Sequence, residues 1–222
     1  MTTTLVLASA SPARRKLLAA AGLEPSVVVS EVDEEAVTAA ARDSYGELQP
    51  ADVALVLARA KAEDVAGQID DALVVGCDSV LELDGEVHGK PASAEVAIER
   101  WHRMRGRSGV LHTGHWLVDT REAGEGGTGA TLGASASTTV HFAKLTDDEV
   151  AAYVATGEPL AVAGGFTLDG LGGPYVTGVE GDPSNVIGLS LPLLRELLAE
   201  IGVAWHDLRT TAHQGAQGRR GP

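Results

Sequence analysis

The run Leu73-Val74-Val75-Gly76-Cys77-Asp78-Ser79-Val80-Leu81-Glu82-Leu83 constrains this chain more than any other stretch. Its apolar, β-branched character requires burial and reads as a core strand. Asp78 stands in its middle. A buried carboxylate is costly unless it is paired or ligates a metal. Gly76 and Ser79 flank it, so the backbone can open there. Asp84-Gly85 is a hairpin turn signal, and Gly85 to Pro91 completes the hairpin and ends in a loop. Gly89-Lys90 resembles a phosphate loop but fails the Walker pattern, because Pro91 stands where Ser or Thr belongs. On residues alone, Asp78 is either part of a site or a strand-end aspartate satisfied by backbone amides.

A second stretch carries chemistry near the start. Leu5 to Ala8 is a short buried strand that runs into Ser9-Ala10-Ser11-Pro12-Ala13-Arg14-Arg15-Lys16. Ser11 is a good N-cap, and Pro12 falls at the first helical position, where its missing N–H costs nothing. The helix ends near Gly22, a natural C′ residue. Cations in the first turns oppose the helix dipole, a conflict that a bound anion relieves. Free backbone N–H groups, two serine hydroxyls and a bidentate Arg14 suit a phosphate. An ordinary capped helix with a solvated basic face fits the same residues.

Between these stretches, Val27 to Val29 reads as a strand. Glu31-Val32-Asp33-Glu34-Glu35 is either a hard-cation site or the acidic first turn of a helix. Pro50 to Val65 has helical periodicity in Val53, Leu57 and Ala60. It contains Lys61, and a helical lysine is ordinarily a solvated charge. Ser93 caps a helix to Met104, and Val110 to Thr120 is a strand. Within it, His112 and His115 point to opposite faces and make a poor metal pair. Gly124 to Gly133 reads as a flexible surface connection, and Thr138 to Phe142 as a strand. Thr146 and Glu149 form a capping box opening a helix to about Thr156. The glycine-rich stretch 161–174 lacks the dinucleotide spacing, and its glycines suit close backbone approach. Tyr175 to Val179 is a strand, Gly181 to Asn185 a turn, and Leu191 to Ile201 the closing helix. The order predicts an α/β or α+β fold on a mixed sheet. Two lobes around a central cleft are expected, with the break near residues 91–110. Residues 1–207 read as one domain and 208–222 as a polar tail without structure.

Composition limits the function. A net charge of −14 gives no global field for nucleic acid, so any polyanion must meet a local basic pocket or a metal held by carboxylates. No apolar run approaches the ~20 residues of a membrane span. Neither a charged n-region nor a signal peptide is seen, and the single Cys77 fits a reducing cytoplasm. Cys77 reads as a small buried hydrophobe.

Five stretches in this order resemble one family: Leu7-Ala8-Ser9-Ala10-Ser11-Pro12-Ala13-Arg14, Gly76-Cys77-Asp78-Ser79, Gly89-Lys90-Pro91, Ala163-Gly164-Gly165-Phe166, and Gly181-Asp182-Pro183-Ser184-Asn185-Val186-Ile187-Gly188-Leu189. The chain is similar to the Maf nucleoside triphosphate pyrophosphatases, or septum formation proteins, over about residues 5–202. The resemblance implies a fold shared with inosine triphosphatases, and hydrolysis of a nucleoside triphosphate to monophosphate and pyrophosphate. It also implies a divalent metal, Mg or Mn, and a homodimer. Asp78 matches the catalytic aspartate, and Ser9, Ser11 and Arg14 match the phosphate-binding loop. Glu34, Lys61 and Lys90 match further polar positions of the pocket. Ala13 replaces the usual Arg, so one phosphate contact is absent or comes from Arg15. Ser79 and Asp169 stand at positions that track base choice in the family.

Cleavage between the α- and β-phosphates requires charge neutralisation, an in-line water and a group that takes its proton. Glu34 and Asp78 are expected to hold the metal or orient the water, with Asp78 as general base. Arg14, Lys61 and Lys90 are expected to grip the β- and γ-phosphates. A nucleotide-binding regulatory module tied to cell division, without turnover, is the competing reading. Asp78 discriminates the two, since a pure binder needs no carboxylate beside phosphates.

Overall fold

The structure, a computed structural model, describes residues 3–209, so the expected tail lies outside it from residue 210 onward. The elements are β1 (Leu5–Ala8), α1 (Pro12–Ala20), β2 (Ser26–Val27), α2 (Glu34–Tyr45), α3 (Pro50–Ala66), β3 (Leu73–Leu83), β4 (Glu86–His88), α4 (Ala94–Met104), β5 (Ser108–Asp119), β6 (Thr131–Phe142), α5 (Asp147–Ala155), β7 (Val176–Glu180), α6 (Pro183–Ile187) and α7 (Leu191–Glu200). The strands form one seven-stranded mixed sheet in the order β2-β1-β3-β5-β6-β7, with β4 also paired to β3. β1 runs parallel to β2 and β3, and the remaining pairs are antiparallel. The fold is therefore the mixed α/β arrangement that the element order predicts.

Local chemistry sets several boundaries. The Ser11 side chain accepts from the Arg14 N–H, and Pro12 opens α1. Thr146 and Glu149 close a reciprocal capping box on α5. Asp84 and Gly85 both have positive φ, at 58° and 79°, the backbone of the tight β3–β4 turn.

β3 and β5 are covered on both faces. One face lies against α3 at van der Waals distance. A methyl group on Gly76 or Gly114 would overlap the α3 backbone at Ala58 and Ala62 or at Ala54. The other face carries two apolar clusters. Leu73, Val75, Cys77 and Leu117 pack with α1 and α7 in the first, and Leu81, Leu83 and Leu111 pack with Trp101, Met104 and Phe142 in the second. Ser79, Thr113 and His115 form a polar seam between them. The boundary between these two apolar clusters therefore crosses the middle of β3 and β5. Strands this long belong to both cores.

Other expectations shift. β2 is only Ser26–Val27, and Val29 is exposed. The acidic cluster is the start of a helix: Asp33 caps α2, with Glu34 and Glu35 in its first turn. β6 begins at Thr131, seven residues before the alternating pattern, because it pairs with β5 along its whole length. The Gly124–Gly133 connection is anchored at its root. The Asp119 carboxylate accepts from Arg121 Nε and Nη2 and from the N–H and hydroxyl of Thr128. The Gly181–Asn185 turn becomes α6, capped by Asp182.

His112 and His115 do diverge. His112 bonds Glu82 and Ser137, whereas His115 Nδ1–H donates to Thr113 O and its Nε2 accepts the Ser190 N–H at 2.8 Å. Burial, with Arg14 nearby, lowers the His115 pKa from its ordinary value to about 4. The unfolded chain therefore binds a proton that the folded chain refuses between pH ~6.5 and ~4. Stability is fully present above that window and falls as the pH drops through it, by up to ~1.4 kcal/mol per pH unit. We expect urea midpoints to decline from pH 6.5 to 4.5, and His115→Gln to flatten that decline. An unchanged slope in the variant would show that another group governs it.

Candidate functional site

The site follows from a mismatch of strand lengths. β1 pairs with β3 only as far as Ala8 opposite Gly76, and β4 joins the same side of β3 only at His88 opposite Leu81. Cys77 to Val80 therefore have a free edge there. The chain leaving β1 passes this notch as Ser9–Arg14. The chain leaves β4 as Gly89–Pro91 after His88, whose partner Leu81 is ~10 Å along β3 from Asp78 at ~3.3 Å per residue.

Arg14 closes the near wall. Its guanidinium donates to Gly188 O at 2.6 Å, Cys77 O at 2.7 Å, Ser9 Oγ at 3.0 Å and Ser79 Oγ at 3.0 Å. The bond to Cys77 O supplies the unpaired edge of β3. These bonds use four of the five N–H donors of an arginine. The expected two-bond grip on a phosphate would therefore break contacts that organise the wall. The serines are better placed to donate. Ser9 Oγ accepts from Arg14 and from the Ser11 N–H, and Ser11 Oγ accepts from the Arg14 N–H. Among the described residues no acceptor takes either hydroxyl hydrogen. Arg15, the candidate substitute for the missing Arg at Ala13, is exposed.

On the α3 face, Lys61 Nζ lies 2.5 Å from Asp78 Oδ1 and 2.7 Å from Glu34 Oε1. The Lys61 side chain is 12% exposed, so it is an ion-pair residue and not a solvated charge. Burial pushes the Asp78 carboxyl above the usual carboxylate range, against the opposing pull of Lys61 and Arg14. Burial also raises the Cys77 thiol to about 11, consistent with a small hydrophobe.

The structure thus brings the seven residues Ser9, Ser11, Arg14, Glu34, Lys61, Asp78 and Ser79 into two hydrogen-bonded groups, Ser9–Ser11–Arg14–Ser79 and Glu34–Lys61–Asp78, joined through the Cys77–Asp78 backbone. Ser79 lies on the opposite strand face from Asp78, with its hydroxyl between Arg14 and Thr113. Lys90 and Asp169 are exposed, and no bond among the described residues joins them to either group. The loop carrying Asp169 is ordered by Glu158, which accepts from Tyr153, Thr167, Leu171 N and Gly172 N. Three supporting residues carried no role in the sequence reading: Thr113, Asn185 and Gly188. Thr113 donates to Asn185 O, and Asn185 Nδ2 donates to Leu111 O and Thr138 Oγ1. The only signal for Asn185 and Gly188 was the Gly181–Leu189 motif itself, and Thr113 had none.

The donor set can be tested against a divalent metal. Glu34 and Asp78 converge on the Lys61 ammonium. Hard carboxylate oxygens suit Mg²⁺, which typically takes one or two carboxylates plus substrate phosphates. Among the described residues no group of three or more His, Cys, Asp or Glu side chains is arranged to hold a metal.

A solved nucleoside-triphosphatase / dITP/XTP pyrophosphatase from Mycobacterium abscessus aligns over 90% of this chain at 14% identity with a TM-score of 0.36. Proteins named nucleoside triphosphate pyrophosphatase are much nearer in sequence. One from Salinispora tropica is 60% identical over 90% of this chain and 84% of its own length. One from Streptomyces coelicolor is 57% identical over 92% of this chain and 93% of its own. The family model described as Maf-like protein matches residues 4–201. With that match spanning β1 to α7, and relatives this similar over their length, the chain belongs to the Maf family.

Proposed function

We propose that the protein hydrolyses nucleoside triphosphates, non-standard or modified ones among them, to the monophosphate and pyrophosphate. The observation that carries this is Asp78, a buried carboxylate held by Lys61 at 2.5 Å on the free edge of β3. A protein that only binds nucleotide has no use for a group so costly to bury. The names of the relatives point the same way.

In this reading the triphosphate enters between Ser9–Arg14 and Lys90. Ser9 and Ser11 donate their hydroxyl hydrogens to phosphate oxygens, and the start of α1 adds backbone N–H groups. Arg14 holds that wall through Ser9, Cys77, Ser79 and Gly188. Asp78 takes the proton of the attacking water. Lys61 and Lys90 stabilise charge on the departing pyrophosphate. Glu34 and Asp78 would hold a divalent cation, Mg²⁺ or Mn²⁺, whose chemistry is to neutralise the phosphate oxygens. Asp169 and its Glu158-ordered loop are assigned to the base end. No helix among the described residues is long and apolar enough to cross a membrane. A cytoplasmic homodimer that binds no nucleic acid completes the proposal.

A panel of dTTP, UTP, CTP and base-modified guanosine triphosphates, assayed with Mg²⁺, tests it. Pyrophosphate is expected, and chelation should abolish its release. Orthophosphate alone would indicate a phosphatase. No product from any member would favour the regulatory module.

A further inference from the structure

The peptide group that leads into Lys90 is held from two directions. Gly89 O accepts from Arg100 Nη1 at 2.6 Å and from the Gly164 N–H at 3.1 Å. Gly164 and Gly165 have φ of 74° and 78°, the left-handed region that glycine adopts without strain. Trp101 Nε1, one residue after Arg100, donates to Gly165 O at 2.9 Å. One turn of α4 therefore grips both loops. Its base is rigid, since Trp101 is fully buried in edge-on contact with Phe142, Tyr153 and Tyr175.

Arg100 is unusual within that turn. It is 8% exposed, yet no carboxylate among the described residues lies within ion-pair distance. Arg103, three residues on, has Glu86 at 2.8 Å. A buried guanidinium without a counter-charge is expensive, and an apolar side chain would pack there at less cost. What Arg100 gains is the charge-assisted bond to Gly89 O. That bond fixes the plane of the Gly89–Lys90 peptide, and with it the direction in which Lys90 leaves the backbone. A lysine stem has four rotatable carbons and loses its aim if its root turns.

We infer that Arg100 is a positioning residue that aims Lys90 at the phosphates. The inference rests on the reading of Lys90 as a phosphate contact.

A double-mutant cycle tests both separately. The variants are Arg100→Met, Lys90→Met and the double variant, with Arg100→Lys as the conservative case. Each is assayed as the full chain for pyrophosphate release with Mg²⁺. Lys90→Met should lower kcat/KM by ~100-fold and Arg100→Met by ~10-fold, while the double variant matches Lys90→Met alone. Arg100→Lys, which keeps a charged donor, should recover most of the loss. If Lys90→Met retains near wild-type kcat/KM, the reading of Lys90 fails. If Lys90→Met is impaired but Arg100→Met is not, the inference fails. It fails equally if Arg100→Met costs the same tenfold in the Lys90→Met background, since that is the mark of general disruption. Should Arg100→Met not fold, Arg100→Gln, which keeps one donor for Gly89 O, runs the same cycle.

Discussion

Asp78→Asn is expected to lower kcat for pyrophosphate release by roughly 10³-fold, within the range that loss of a positioned general base produces. The asparagine amide has the shape of the carboxyl group but accepts no proton at neutral pH. Lys61 keeps Glu34 as a partner at 2.7 Å, so the ammonium is not stranded. Burial disfavours the ionised carboxylate in the folded chain, and a neutral amide escapes that cost. The variant should therefore keep its urea midpoint, or gain slightly, while losing turnover. Such a split between stability and rate is typical of residues retained for chemistry. Near wild-type pyrophosphate release from Asp78→Asn would show that another group takes the proton. A large loss of stability would mark Asp78 as structural.

Gly114→Ala is expected to destabilise the fold by about 3–5 kcal/mol, at the upper end for a single substitution. Its φ is not in the left-handed region, so the strand itself would accept alanine. The obstacle is α3. The new methyl group would overlap the Ala54 carbonyl and the start of the Leu55 peptide, and a helix backbone cannot yield as a side-chain tip can. The helix would have to lift off the sheet, carrying Lys61 away from Asp78. Loss of activity should therefore accompany loss of stability, unlike Asp78→Asn. Gly124→Ala is the control, because nothing lies within 4 Å of its added carbon. Its urea midpoint should match the wild type. A Gly114→Ala chain as stable as the control would mean that α3 sits less tightly on the sheet than the structure has it.

These substitutions bear on how much can be read without coordinates. Asp78 was legible because a charge interrupts an apolar run, and burial physics makes such a charge conspicuous. The Ser11–Pro12 start of α1 and the Thr146–Glu149 capping box were legible because caps are satisfied by residues a few positions away. The start of β6 was not. Thr131–Ser137 have no strong alternation, and pairing with β5 alone makes them a strand. α2 was half legible: its acidic first turn suits a helix dipole and a metal equally well, and the packing of α2 beside α3 settles its form.

The sequence alone determined the local elements with their own caps and turns, the mixed α/β class, and the presence of a carboxylate needing a partner on β3. Those properties depend on side-chain chemistry within one turn or one strand. Tertiary structure alone decided that the partner is Lys61 and that Glu34 shares it. It also decided that Arg14 is spent on Ser9, Cys77, Ser79 and Gly188, when its place in the first turn of α1 suggested a free clasp. The physical reason is distance along the chain. Arg14 and Gly188 are 174 residues apart, and only the pairing of β1 beside β3 and the packing of α6 against α1 and β5 bring a guanidinium and a carbonyl within hydrogen-bond reach.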